Sequence, residues 1–312
     1  MPDSSDLGCS HYLDMSSKET EKMAKIRPIF LGVCMVALCT LALSGTTRAA
    51  DELIYGNNAG GGPDVVFQID ITTGGNVTNQ YNVSPLNGRG VVVVGNIMYT
   101  TESGSNNVYA YNLSTNTSLG VAFSVAGATS LSTMAYDGTN FWIGDYSGTN
   151  NVYHYTPTGT LLGSVSLAGC TGFCDGLEYL AAGGGELLSN RGDAQGPYDL
   201  YSITGTLITS DFIDPTKDPN GCNGSTGVAF DGTDYFVSCI FSAKLAEFDG
   251  SGNFLADIPI TGGTNGIYGP LVEDLSANYQ TVLQIPTPEP ASMSLLAFGL
   301  VGLGLLRVLK TA

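Results

Sequence analysis

The chain has 312 residues, and only 12% of them are Asp, Glu, Lys or Arg, about half the share found in an ordinary soluble domain. Its 28 acids and 11 bases give a net charge of -17, which repels phosphate backbones and argues against nucleic acid as a partner. Hydrophobic residues at 43% are too many for a disordered acidic tail.

The first 50 residues read as an address. Lys25 and Arg27 stand before an apolar run over residues 29–43, and Thr47-Arg48-Ala49-Ala50 follows with small residues for cleavage after Ala49 or Ala50. That order is a signal peptide's: a basic start, a hydrophobic helix, a cleavage site. The run is 15 residues long, short of the roughly 20 that span a bilayer, so export by the secretion machinery is expected rather than a permanent anchor. Residues before Met23 read as an over-extended start. Neither Cys34 nor Cys39 follows a small residue, so no lipoprotein cleavage box is present.

Residues 51–286 form the body, 236 residues with 22 acids and only Arg89, Arg191, Lys217 and Lys244 as bases, a net charge of -18. Alternating segments recur in it. Val66-Phe67-Gln68-Ile69, Val108-Tyr109-Ala110-Tyr111 and Val152-Tyr153-His154-Tyr155 align, with weaker copies ending at Ile203 and Phe248. Equivalent positions at Ile69, Tyr111, Tyr155, Ile203 and Phe248 are 42, 44, 48 and 45 residues apart. A period near 45 made of alternating strands suits a β-propeller blade of four short strands. Tyr136-Asp137-Gly138-Thr139 and Phe230-Asp231-Gly232-Thr233 repeat inside the units and predict tight type I′ hairpins. Gly95-Asn96 and Gly183-Gly184 take the comparable places. Six blades of about 45 residues would need roughly 270, so five are expected. The fold class is therefore all-β, a single five-bladed propeller of four antiparallel strands per blade, flanked by the signal helix and a C-terminal transmembrane helix. An open β-sandwich or β-solenoid is the competing architecture. The first unit starts late, with Glu52-Leu53-Ile54-Tyr55 already a second strand, and residues 269–274 are expected to return as its inner strand and close the ring.

Four cysteines lie in the body. Cys170 with Cys174 would close a small loop and Cys222 with Cys239 would pin a loop to a strand end, although three pairings are formally open and a four-thiolate metal site competes. His154 is the body's one histidine and reads as a blade-surface residue, so no residue is nominated as catalytic. Asp175, Glu178, Glu273 and Asp274 fall on expected inner strands, which line a propeller's channel; converging there, they would suit Ca²⁺, although separate solvated acids are the simpler reading and no cofactor or metal is assigned. Asp249-Gly250-Ser251-Gly252-Asn253 lacks the distal Glu of a calcium loop and reads as a turn. Arg191-Gly192-Asp193 reads as a chance tripeptide, and Tyr109, Tyr111, Trp142, Tyr153 and Tyr155 as packing between blades rather than a sugar platform.

Residues 287–312 carry Pro288-Glu289-Pro290, an apolar stretch over residues 291–306, then Arg307 and Lys310. A rigid break, a membrane segment and terminal cations come in that order. These residues resemble the PEP-CTERM sorting signal of Gram-negative bacteria. The resemblance implies Pro288, Glu289 and Pro290 as the motif read by an exosortase-type processing enzyme. It also implies a precursor held in the inner membrane, with release to periplasm, outer envelope or extracellular matrix, where exopolysaccharide is an expected partner. The tail is sparser than the Arg-rich run of many members. An ordinary single-span anchor is the alternative, and a polysaccharide-active lyase or hydrolase is the competing function.

Overall fold

A computed structural model describes residues 52–58, 64–84, 87–170, 174–192, 196–264 and 270–279. The signal segment and the Pro288-Glu289-Pro290 segment lie outside these. Among the described residues no helix is long and apolar enough to cross a membrane.

Blade one holds β1 (Leu53–Asn58), β2 (Asp64–Asp70) and β3 (Asn76–Ser84), and blade two holds β4 (Gly88–Val94), β5 (Ile97–Glu102), β6 (Asn107–Asn112) and β7 (Thr117–Ser124). Blade three contains β8 (Leu131–Tyr136), β9 (Phe141–Asp145), β10 (Asn151–Tyr155) and β11 (Leu161–Ser166). Blade four contains β12 (Leu177–Leu180), β13 (Glu186–Asn190), β14 (Tyr198–Ser202) and β15 (Leu207–Ile213). Blade five contains β16 (Ser225–Phe230), β17 (Tyr235–Cys239), β18 (Lys244–Phe248) and β19 (Phe254–Pro259). The last strand, β20 (Val272–Ala277), pairs antiparallel with β1 and completes blade one. Each of the five sheets thus has four strands.

The inner strands touch in the cycle β20, β4, β8, β12, β16 and back to β20, so the ring is closed. The core is divided in the same way, with one apolar cluster in each of the five gaps between blades. Tyr55 and Val66 meet Val91 and Met98; Val92 and Phe123 meet Met134 and Phe141; Trp142 and Val152 meet Leu187 and Tyr201. Tyr198 and Leu200 meet Val237 and Phe248, and Phe236 and Leu245 meet Ile54 and Phe67. Alternating strands with both faces apolar give this result, because a blade is sandwiched between two neighbours. Tyr155 of blade three stacks on Phe123 of blade two, with centroids 5.6 Å apart, and Tyr155 and Trp142 are buried. These aromatics pack the gaps.

Two sequence expectations need correction. In blade four the counterpart of Tyr155 is Tyr201, not Ile203. Ser202 N–H donates to Thr206 O and Gly205 N–H to Ser202 O, as Thr156 N–H does to Thr160 O and Gly159 N–H to Thr156 O. Tyr201 is fully buried and Ile203 is exposed; the loose sequence match had slipped by two residues. The Asp-Gly hairpins, too, are four-residue loops rather than type I′ turns. Asp137 Oδ1 accepts from Thr139 N at 2.9 Å and Asn140 N at 2.7 Å, and Asp231 Oδ1 accepts from Thr233 N and Asp234 N at 2.8 Å each. Here the carboxylate, not paired positive φ angles, satisfies the turn.

Disulfides join Cys170 to Cys174 and Cys222 to Cys239, with Cα atoms 5.9 and 4.9 Å apart. This settles the pairing left open by the sequence. Two disulfides suggest an oxidising location, extracellular or periplasmic. The Asp249 segment is a turn, in which Asp249 Oδ1 accepts from Ser251 N and Asn253 N.

Candidate functional site

Four of the five inner strands, β4, β8, β16 and β20, carry a register shift at their start. A bulge leaves one N–H out of the ladder, and side chains of the second strands supply the missing acceptors. Gly90 N–H donates to Thr101 Oγ1 at 2.7 Å, Gly227 N–H to Ser238 Oγ at 2.8 Å and Asp274 N–H to Asn57 Oδ1 at 2.9 Å. Thr101 and Ser238 then reach the next blade, donating to Ser132 O and Glu273 O. The same hydroxyls therefore cap a bulge and join two blades.

The register places Gly90, Thr133, Gly176, Gly227 and Asp274 at one level of the five inner strands. There is little room at this level. A Cβ on Gly176 would lie 1.9 Å from Thr226 O, and one on Gly227 would lie 2.5 Å from the Asp274 Cα. Asp274 fills the remaining space. Its Oδ2 accepts from Val91 N at 3.0 Å and Met134 N at 3.3 Å, and its Oδ1 from the Thr133 hydroxyl at 3.0 Å. Those donors sit on β4 and β8, and β8 is not a ring neighbour of β20. One carboxyl group therefore ties three inner strands together across the axis. It is fully buried, and burial pushes its pKa well above the usual carboxylate range.

Glu178 lies nearer the other end. Its Oε2 accepts from Phe230 N at 2.9 Å, and its Oε1 accepts from Tyr179 N at 2.8 Å and the Tyr279 hydroxyl at 2.5 Å. Ser276 does the same between β20 and β4, its Oγ accepting from Val93 N at 3.0 Å. Burial raises Glu178 to about 7, against the pull of its three donors. The oxygens of Glu178 and Asp274 are thus engaged in holding blades together.

Above Asp274, at the end where the inner strands begin, Glu273, Arg89, Ser132, Asp175 and Thr226 form the next level. Arg89 is ion-paired with Glu273, and its Cζ lies 4.5 Å from the centroid of the Tyr146 ring. Burial raises Asp175 to about 6, opposed by the positive charge of Arg89. Burial also raises Glu273 to about 7; Arg89 pulls it down and Asp175 pushes it up. One guanidinium therefore serves two mostly desolvated carboxyls, whose affinity for a proton is raised by burial. Donors and acceptors of both kinds meet there beside an aromatic ring. Asp175 and Glu273 lie at this level beside Arg89, whereas Glu178 and Asp274 lie at other levels of the inner strands.

Arg89 and Tyr146 were not singled out from the sequence. A signal existed for Arg89, which stands two residues before Val91 as Glu273 stands two before Leu275, but it is readable only once the inner strands are in register.

His154 sits on β10, the third strand of its blade. Its Nε2 is 2.9 Å from Asp137 Oδ2, and its ring stacks on Trp142 at 4.0 Å. Asp137 follows the far end of β8, so the pair is not at the mouth. Arg191 forks onto Asp199, with both contacts at 2.7 Å. Among the described residues no three His, Cys, Asp or Glu side chains gather as a metal cluster.

No family model matches the chain, and no curated protein matches it. Among solved structures, a chain of a nidogen/laminin complex is 11% identical, over 74% of this chain and 99% of that one, with a TM-score of 0.51. A protein of unknown function from Bacteroides caccae is 11% identical over 73% and 99%, with a TM-score of 0.44, and a glutaminyl cyclase of Myxococcus xanthus is 11% identical over 65% and 77%, with a TM-score of 0.41. At 11% identity the likeness to the nidogen/laminin complex chain is one of fold alone, and it supports a β-propeller body.

Proposed function

We propose that the chain is an exported binding module of the cell envelope or exopolysaccharide layer, docking its ligand on the face of the ring where Arg89, Asp175, Glu273 and Tyr146 meet. The observation that carries this reading is the arrangement at the axis. One level below Arg89, Asp175 and Glu273, the Asp274 carboxyl bonds to β4 and β8 across the axis, and Tyr146 sets an aromatic ring beside the polar groups above it. With 22 acids against four bases, the body favours a neutral, hydroxyl-rich polymer over a polyanion. Two disulfides support an oxidising compartment, and the Pro288-Glu289-Pro290 segment supports sorting by an exosortase-type enzyme.

The ligand reading is tested on a glycan array followed by calorimetry. A neutral exopolysaccharide should bind, and Arg89→Ala should weaken binding at least about tenfold, equivalent to about 1.4 kcal/mol. Unchanged affinity in that variant removes the mouth as the site. Sorting is tested by mass spectrometry of the mature protein from exosortase-positive cells. The expected C-terminus lacks Lys310-Thr311-Ala312, and an intact tail overturns processing.

A second reading, a polysaccharide lyase or hydrolase, draws on the two mouth carboxyls raised to about 6 and 7, values that suit acid–base work near neutral pH. Depolymerisation that is lost in both Asp175→Asn and Glu273→Gln would replace the binding module with an enzyme.

A further inference from the structure

Asp64 opens β2 and Glu102 closes β5, at the same end of the ring as Arg89. Both side chains are buried, at 0% and 1% exposure, and all four carboxylate oxygens lack a hydrogen-bond partner. Glu102 is near enough for its charge to add to burial in raising the Asp64 pKa. Gly88 marks the meeting point. It pairs with Glu102 across the β4–β5 ladder, and a Cβ added to it would lie 2.2 Å from Asp64 Oδ1 and 3.1 Å from Asn57 Nδ2.

Asn57 and Asn58 are fully buried as well. Each commits its Oδ1 to a backbone N–H, that of Asp274 at 2.9 Å and that of Val65 at 2.7 Å, which fixes the orientation of both amides. Each is left with an unpartnered Nδ2, and that of Asn57 converges on Gly88 alongside the Asp64 carboxyl. The Thr100 hydroxyl stands near enough to favour the charged form of Asp64 without a hydrogen bond to it.

Several other buried acids among the described residues are answered. Asp145, which ends β9 as Glu102 ends β5, accepts from Ser147 N and the Ser147 and Thr149 hydroxyls. Asp218 has Lys244 and Asp199 has Arg191. Arg89 is engaged with Glu273, and Lys217 lies in the 3-10 turn that precedes blade five. Two adjacent, dry, uncompensated carboxylates are unfavourable as they stand. Four carboxylate oxygens and a hydroxyl suit a hard cation that accepts bidentate carboxylates and flexible geometry, while neither a thiolate nor an imidazole is present to favour zinc.

We propose that Asp64 and Glu102, assisted by the Thr100 hydroxyl, bind one Ca²⁺ ion between blades one and two, with the amides of Asn57 and Asn58 orienting its carboxylates or waters. The site would brace the junction next to the mouth, and it does not depend on what the mouth binds.

The test uses the full chain in mild detergent, stripped with EDTA and titrated with CaCl2 by calorimetry, with thermal unfolding alongside. One site is expected whose occupation at a hundredfold excess over Kd raises Tm by about 5–10 °C. The double variant Asp64→Asn, Glu102→Gln should bind Ca²⁺ at least a hundredfold more weakly and lose the Tm response, yet be no less stable than the parent in EDTA. Asp249→Asn, in the exposed turn, should respond as the parent does. If the double variant does not fold, Glu102→Gln alone is read, with a tenfold or greater loss of affinity expected. No Ca²⁺ response in the parent overturns the proposal. So does an equal response in the variants, which would place the ion elsewhere, or a response to Zn²⁺ without one to Ca²⁺. A parent that responds only to pH would assign the pair a shared proton instead.

Discussion

A fragment of residues 51–269 is expected to be unfolded or aggregated, whereas residues 51–286 should melt cooperatively at the Tm of the longer protein. The 17 extra residues carry β20. Val272, Leu275 and Ala277 are buried in the gap between blades five and one, and burying a Val or Leu side chain is worth about 1.5–3 kcal/mol each. Asp274 and the Tyr279–Glu178 hydrogen bond leave with the same strand. Together these losses approach the entire stability of a typical domain, about 5–15 kcal/mol. The cut also exposes β1 as a free edge, a template for pairing with other chains. Size-exclusion chromatography and circular dichroism decide the matter. A monomeric 51–269 fragment melting within 5 °C of the longer one, where the expected loss is far larger, would mean that β20 does not close the ring.

Asp274→Ala is expected to destabilise the body by about 3–5 kcal/mol, because it strips the acceptor from two buried backbone N–H groups and a buried hydroxyl at the axis. For a body of this size that is a fall in Tm of about 6–20 °C. Asp274→Asn can keep its oxygen on both N–H donors and turn its amide N–H₂ to the Thr133 hydroxyl, which can accept, so it should lie much closer to the parent than Asp274→Ala. A Tm within 2 °C of the parent for Asp274→Ala would remove Asp274 from this role. The pH dependence of the parent has a definite sign. Glu178 and Glu273 are raised to about 7 and Asp175 to about 6 in the folded chain, above their unfolded values near 4. The folded state therefore binds more protons than the unfolded state across that interval. These groups stabilise most at about pH 4 and lose that contribution as pH rises to about 8, by about 3 kcal/mol for Glu178 alone. A Tm that rises steadily over the same interval would contradict the burial of these acids.

The blade count was legible because it rests on quantities a sequence carries directly: a period, a body length and turn residues at regular intervals. The closing strand was legible for a related reason. Blade one lacked an inner strand, and an unclaimed apolar-alternating segment remained near the end, although its bounds moved from residues 269–274 to Val272–Ala277. Blade four was misread by two residues because Ile203 imitates the pattern one turn away from Tyr201. The Asp-Gly loops were located correctly and mistyped, since a carboxylate acting on backbone N–H groups leaves no periodic trace.

The site was less legible. Asp175 and Glu273 could be marked as inner-strand acids, but that they share Arg89 depends on three different blades arriving at one level of the ring. Glu178 and Asp274 carry the same sequence signal and have a different role, because their positions along the strand put them opposite backbone donors of neighbouring blades. Asp64 and Glu102 gave no signal, as each is a single acid at a strand end.

The sequence by itself determined the repeat, the all-β class, five blades, the closing segment and an acidic body with four cysteines. Those are local or additive properties, set by alternation, turn chemistry and length. Tertiary structure alone decided which cysteines pair, that Asp274 ties β20 to β4 and β8, that Arg89 meets Glu273 from 184 residues away, and that two lone acids are buried beside Gly88. In a ring, contacts across the axis join residues at unrelated separations, and the low-dielectric interior then sets what each carboxyl does.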